Sequence, residues 1–164
     1  MIDDGDDLPE QMQVRREKRA ALPAAGIDAY PVTVPVDTTI PAVRAAYGHL
    51  QADEQSGVTV GVAGRVMFLR NTGKLCFAQL QAGAGETLQV MLSLDRVGES
   101  RLEDWKATVD IGDHIGVRGY LFRTRTNELT VHVDELTFLA KDLLPLPEKW
   151  HGLTDVETRY RQRY

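Results

Sequence analysis

The sequence predicts a mainly β protein: a five-stranded barrel with a helix between its third and fourth strands, preceded by an N-terminal surface helix. Three observations predict it. After Val58, apolar residues alternate with period two in five separate runs. One stretch, Leu102, Trp105 and Val109, steps by three and four instead, and it falls after the third run. Turn-forming residues divide the runs at Asn71-Thr72-Gly73, Gly83-Ala84-Gly85 and Thr126-Asn127.

The leading helix has a start signal in Asp7, with Pro9 next to Glu10 three residues later. It continues to about Ala21, before Pro23 and Gly26. Gln11 to Arg19 holds few apolar residues and no wide apolar stripe, so this helix lies on a surface. Arg15, Lys18 and Arg19 share one side at i, i+3 and i+4 spacing, as either a solvated face or a contact to an RNA backbone. Tyr30-Pro31 to Pro41 is proline-spaced and β-branched, hence extended connector. A short helix is expected from Ala42 to Leu50, then a polar loop to Gly57.

In the first strand Val58, Val60, Val62, Val66 and Phe68 alternate with smaller or polar residues. The second strand sets Cys76, Ala78 and Leu80 against Leu75, Phe77, Gln79 and Gln81. The third sets Leu88, Val90, Leu92 and Leu94 against Gln89, Met91 and Ser93. Gly112-Asp113 opens a fourth strand with Ile115, Val117 and Leu121 on one side. The fifth carries Leu129, Val131 and Val133 on one parity, then Leu136, Phe138 and Ala140 on the other. That switch implies a β-bulge near Asp134-Glu135. Three strands, a helix and two strands is the order of an OB-fold, whose second and third strands present the usual oligonucleotide-binding face. A plain five-stranded meander with an incidental helix is the alternative. The chain thus divides into a leader, helix and connector (1–57), a barrel (58–142) and a trailing segment (143–164).

Composition narrows the function. With 164 residues the chain can bury one good core. No apolar run approaches the roughly 18 residues of a membrane helix, and the acidic start excludes a secretory signal. The lone Cys76 fits a reducing cytoplasm. The net charge is −5, but Asp3, Asp4, Asp6, Asp7 and Glu10 supply five negative charges. Removing those five from 24 acidic residues leaves 19 against 19 basic. A neutral body accommodates a small, local RNA contact rather than broad coating of phosphates.

The second and third strands form a hairpin whose outer side should carry Phe77 and Gln89. A ring can stack on an unpaired base, and an amide can read the base's pairing edge. The alternative is that Phe77 packs under the N-terminal helix or a loop. Arg65, Arg70 and Lys74 lie on or just after the first strand, and Arg118, Arg123 and Arg125 on or after the fourth, as candidates for phosphate contact. No catalytic constellation is found. Gly73-Lys74 lacks the glycine of a phosphate loop, since Phe68 stands there, and Leu75 replaces its hydroxyl residue. His49, His114, His132 and His151 are widely spaced beside a single cysteine, so no metal pattern exists.

Several segments together resemble the N-terminal anticodon-binding domain of bacterial class II lysyl-tRNA synthetases. They are Pro9-Glu10-Gln11 with Arg15-Arg16-Glu17-Lys18, and Ala25-Gly26-Ile27-Asp28-Ala29-Tyr30-Pro31. Val62-Ala63-Gly64-Arg65-Val66-Met67, Gly73-Lys74-Leu75-Cys76-Phe77-Ala78-Gln79-Leu80-Gln81 and Leu121-Phe122-Arg123-Thr124-Arg125-Thr126-Asn127-Glu128-Leu129 continue the match. Leu143-Leu144-Pro145-Leu146-Pro147 with Arg159-Tyr160-Arg161-Gln162-Arg163-Tyr164 resembles the family's hinge, so its catalytic domain would begin beyond Tyr164. The resemblance implies an OB-fold reading the uridine-rich lysine anticodon of tRNA(Lys). It assigns stacking to Phe77 and base reading to Gln89, Arg70 and Glu128; Arg15, Lys18, Arg19, Arg65, Lys74, Arg123 and Arg125 remain backbone candidates. It implies no cofactor in this chain, ATP and Mg2+ in the parent ligase, a homodimer, a cytoplasmic setting and no membrane contact by this segment. The alternatives are a protein-assembly module, or part of a lysyl-phosphatidylglycerol synthase fusion. Two positions depart from the pattern: Ala82 replaces an acid, and Asn127 a glycine before Glu128.

Overall fold

The structure, a computed structural model, describes residues 9–144. The proposed cap Asp7 and the hinge over 145–164 lie outside these residues. No helix among them is long and apolar enough to cross a membrane.

Helix α1 spans Glu10–Ala21, with Pro9 at its N-cap and no side-chain cap. It buries no residue, as its polar sequence requires. Polar contacts therefore fasten it. Arg15 donates to the carbonyls of Asp142 at 3.0 Å and Ile111 at 2.9 Å, and Lys18 Nζ lies 2.6 Å from Asp110 Oδ1. Beneath them the fully buried Lys141 ammonium donates to Thr108 O, Asp110 Oδ2 and Asp113 Oδ2 at 2.8, 2.6 and 2.7 Å. Three acceptors match its three N–H groups, so this burial is compensated. Burial works to raise the Asp110 carboxyl, but hydrogen bonds from Lys141 and Lys18 outweigh it and hold the group below the usual range. After a 3-10 turn at Pro23–Ala25, the connector runs without helix or strand to Thr39.

Helix α2 spans Ile40–Tyr47, starting two residues and ending three residues earlier than the sequence suggests. Thr39 caps it by accepting from the Ala42 N–H, and Pro41 sits in the first turn, where its missing donor costs nothing. Ile40 and Val43 are buried against the barrel.

Five strands close into a ring in the order β1-β2-β3-β5-β4. They are β1 (Gln55–Asn71), β2 (Leu75–Gln81), β3 (Thr87–Ser93), β4 (His114–Arg123) and β5 (Leu129–Ala140). All neighbours pair antiparallel except β3 and β5, which run parallel through Gln89↔Thr130, Val90↔Val131 and Met91↔His132. Inside lie Val60, Val62, Val66, Cys76, Ala78, Leu80, Leu88, Val90, Leu92, Ile115, Val117, Leu121, Leu129, Val131 and Val133, all buried. Each fully buried aliphatic side chain stabilises by about 1.5–3 kcal/mol.

The expected bulge on β5 is present. Register shifts where Arg118↔Glu135 gives way to Gly119↔Val133, leaving Asp134 extra. Gly119 permits it, because a side chain there would run into the His132 carbonyl. A second bulge overturns one expectation. Register on β1 shifts between Val66 and Phe68, so Met67 is extra and Phe68 points outward, 52% exposed, rather than inward.

Leu94 leaves the third strand and begins a short helix, α3 (Leu94–Val97), followed by α4 (Glu99–Thr108). Leu102 and Trp105 of α4 are buried. The Trp105 indole donates to Asn71 Oδ1 at 3.0 Å and Lys106 Nζ to the Gly73 carbonyl at 3.1 Å, so α4 grips the β1–β2 turn.

Lys141→Met leaves the buried Asp113 carboxylate without its cation. It should lower unfolding stability by about 3–5 kcal/mol, measured by urea denaturation against wild type.

Candidate nucleic-acid interface

The hairpin of β2 and β3 sets the site. Because Cys76, Ala78 and Leu80 face inward opposite Leu92, Val90 and Leu88, the pleat turns Phe77, Gln79, Gln89 and Met91 outward. Phe77 pairs with Met91 and Gln79 with Gln89, so Gln89 lies diagonal to the Phe77 ring. Phe77 is half-buried on the outer wall. Arg70 is its opposite number on β1, and its guanidinium lies 5.0 Å from the ring centroid. An arginine over a ring leaves a flat, cationic step of the kind nucleic-acid bases stack beside.

Gln89 is oriented from the next strand. Its amide nitrogen donates to Thr130 Oγ1 at 3.0 Å, and Thr130 in turn donates to the Glu128 carbonyl at 3.1 Å. With that N–H engaged, the amide oxygen and the second N–H remain for a ligand. Glu128 opens β5 beside the same seam. Arg44 of α2 reaches it at 3.5 Å and also donates to the Thr87 carbonyl, bracing the start of β3 to the residue just before β5. The preceding Asn127 adopts φ +66°, a left-handed conformation that asparagine tolerates, so the turn keeps a geometry glycine would favour.

Of the backbone candidates, four are engaged within the molecule. Arg15 and Lys18 fasten α1, and Arg19 lies over the Tyr30 ring at 5.5 Å. Arg123 donates to Asn127 and to the Gly48 carbonyl, joining the β4–β5 turn to α2. Lys74 is exposed on the β1–β2 turn. Arg65 lies at the far end of that ribbon, in a cleft with Gln81, Gly83 and His114. Arg125 is 88% exposed, 3.6 Å from Asp53.

The outer wall continues beyond the residues that sequence reasoning singled out. Next to Met91, His132 bridges Ser93 Oγ and the Tyr120 hydroxyl, each at 2.8 Å. Tyr120 packs on Phe122 and His132 at 5.5 and 5.0 Å between centroids, and Arg96 stands over its ring at 4.4 Å. Arg96 also holds Asp134, the bulged residue of β5. Their outward parity on β4 and β5 was readable; Arg44 gave no signal, because 84 residues separate it from Glu128. Charge on this wall is uneven, its acidic groups Glu128 and Asp134 lying just before β5 or on it. Strands β1 to β4 contain no aspartate or glutamate, although the chain carries 24 acidic residues. Phosphates could approach without repulsion from these strands. Among the described residues, no group of three or more His, Cys, Asp or Glu side chains is placed to hold a metal ion.

Residues 60–139 match the family of OB-fold nucleic acid binding domains. A lysine–tRNA ligase of Mycobacterium bovis (strain BCG / Pasteur 1173P2) is 51% identical over 162 residues, covering 99% of this chain and 32% of that protein. A lysine–tRNA ligase of Kineococcus radiotolerans is 50% identical over 159 residues, 97% of this chain and 32% of its own length. One of Magnetococcus marinus is 45% identical over 156 residues, 94% of this chain and 31% of its own. The chain spans about a third of the length of these curated relatives.

Two histidines at the rim give a pH test. Burial and then the charge of Arg96 hold the His132 imidazole below its ordinary value; burial and then Arg65 do the same for His114. The folded chain therefore prefers neutral rings. Their contribution is whole above the unfolded value of about 6.5 and is lost as pH falls from there through the depressed folded values. The melting temperature should drop as pH falls below about 6.5, and the drop should shrink in a His114→Gln/His132→Gln double variant.

Proposed function

We propose that this chain, whose residues 60–139 belong to the OB-fold nucleic acid binding domains and which is about half identical to part of lysine–tRNA ligases, is an anticodon-binding module that reads the uridine-rich anticodon of tRNA(Lys). The central anticodon base stacks on Phe77 against Arg70. Gln89 then reads its pairing edge, its oxygen accepting from the uracil N3–H and its free N–H donating to a uracil carbonyl. Glu128, steadied by Arg44, borders the same base, and Lys74, Arg65 and Arg125 face the phosphates. The observation that carries this reading is the outward Phe77 ring with Arg70 upon it and the Gln89 amide oriented diagonally beside it.

The complete protein would join lysine to tRNA(Lys) with ATP and Mg2+ and act as a cytoplasmic homodimer. A cytoplasmic setting suits the free, buried Cys76. No step of that reaction is assigned to this segment. This segment contributes selection of the tRNA.

Titration with anticodon stem-loops tests the proposal. Phe77→Ala should weaken binding by about 5- to 150-fold, the loss expected for one stacking contact of roughly 1–3 kcal/mol. Gln89→Leu should flatten discrimination between uridine and cytidine at the central position. Equal affinity of the wild-type chain for loops differing at that base would sink the reading. With three phosphate-facing cations, the slope of log K against log salt should be about −2; a much steeper slope would indicate broad backbone coating.

A further inference from the structure

Phe68 lies on the same outer wall, two residues from Arg70, and the site as proposed leaves it without a role. We propose that Phe68 is a second stacking platform, holding the base of the nucleotide that adjoins the one on Phe77. The inference rests on the anticodon reading and extends it to a neighbouring position.

Phe68 faces outward only because of the bulge at Met67. Val66, on one side of the bulge, is fully buried, while Phe68 is 52% exposed. Regular alternation would have placed the ring in the core; the inserted residue moves it to the wall carrying Phe77. There Phe68 pairs with Gln79 as Arg70 pairs with Phe77, and the rows continue as Phe68–Gln79–Gln89 and Arg70–Phe77–Met91. Phe68 and Phe77 are thus diagonal neighbours on adjacent strands, with backbones about 7–8 Å apart. One splayed nucleotide step covers such a separation. An isolated exposed apolar residue needs no explanation. This one stands in a row with two amides, next to an arginine, on strands free of acidic residues. Those surroundings favour a stacked base over an apolar protein partner, which would have to desolvate the amides and the cation. Every base has a π-face, so the platform adds affinity at its position and little base preference.

A double-mutant cycle on the full chain tests this. Stem-loops lacking the base at either nucleotide flanking the central anticodon position are titrated with wild type, Phe68→Ala, Phe68→Tyr and Phe77→Ala. Phe68→Ala should weaken binding of the intact loop about 5- to 20-fold, and Phe68→Tyr should restore it. The loss should vanish for one of the two abasic loops, because the base that stacked there is gone. Circular dichroism confirms that each variant is folded. Three outcomes overturn the platform: Phe68→Ala binding like wild type, weakening all loops equally, or altering self-association alone. If Phe77→Ala weakens binding while Phe68→Ala does not, only the second platform fails. If neither weakens it, the anticodon reading fails as well.

Discussion

The parallel contact between β3 and β5 is the constraint on which the rest of the molecule depends. Three residue pairs, Gln89↔Thr130, Val90↔Val131 and Met91↔His132, turn a strip of strands into a ring. Closure removes the exposed sheet edges that would otherwise pair with other chains. It also separates the side chains strictly into an inner set, which must be apolar to fill the ring, and an outer set free to do chemistry. The same seam supplies the polar contacts that orient the outer set. Gln89 meets Thr130, Ser93 meets His132, and Arg44 braces Thr87 at the start of β3 to Glu128 just before β5. Barrel closure and site geometry are one event.

Two bulges modify that rule, each by a single residue. At Asp134 the inserted residue lets β5 pass from the parity of Val131 and Val133 to that of Phe138, and Asp134 anchors Arg96 over Tyr120. Gly119 makes room for it. At Met67 the inserted residue turns Phe68 from the interior to the wall. A bulge re-aims every side chain beyond it, so one extra residue changes which aromatic groups a ligand meets.

Charge is partitioned as strictly as polarity. The net charge of −5 would discourage any general affinity for nucleic acid, yet strands β1 to β4 hold no acid. Much of the basic inventory is meanwhile engaged in folding: Arg15, Lys18 and Lys141 attach α1 to the barrel through Asp110, Asp113 and Asp142. What remains for phosphates is sparse. On the proposed reading, specificity comes from stacking and from directional hydrogen bonds, which act at single nucleotides, rather than from summed attraction to a polyanion.

Local patterning determined a great deal by itself. Period-two runs, one helical stretch and the turn residues specify five strands and a helix, because a half-buried strand cannot form without alternating its apolar residues. Hence Cys76, Ala78 and Leu80 inside and Phe77 outside were legible, as was the bulge near Asp134, where both parities are apolar in turn. The Met67 bulge was not legible, because Val66 and Phe68 keep the right parity and only pairing with β2 reveals the extra residue. Nor could spacing show that Arg15 and Lys18 fasten α1, or that Arg44 steadies Glu128. Those partners lie 84 to 127 residues apart in the chain, and a charged side chain carries no mark of which distant partner folding will bring to it.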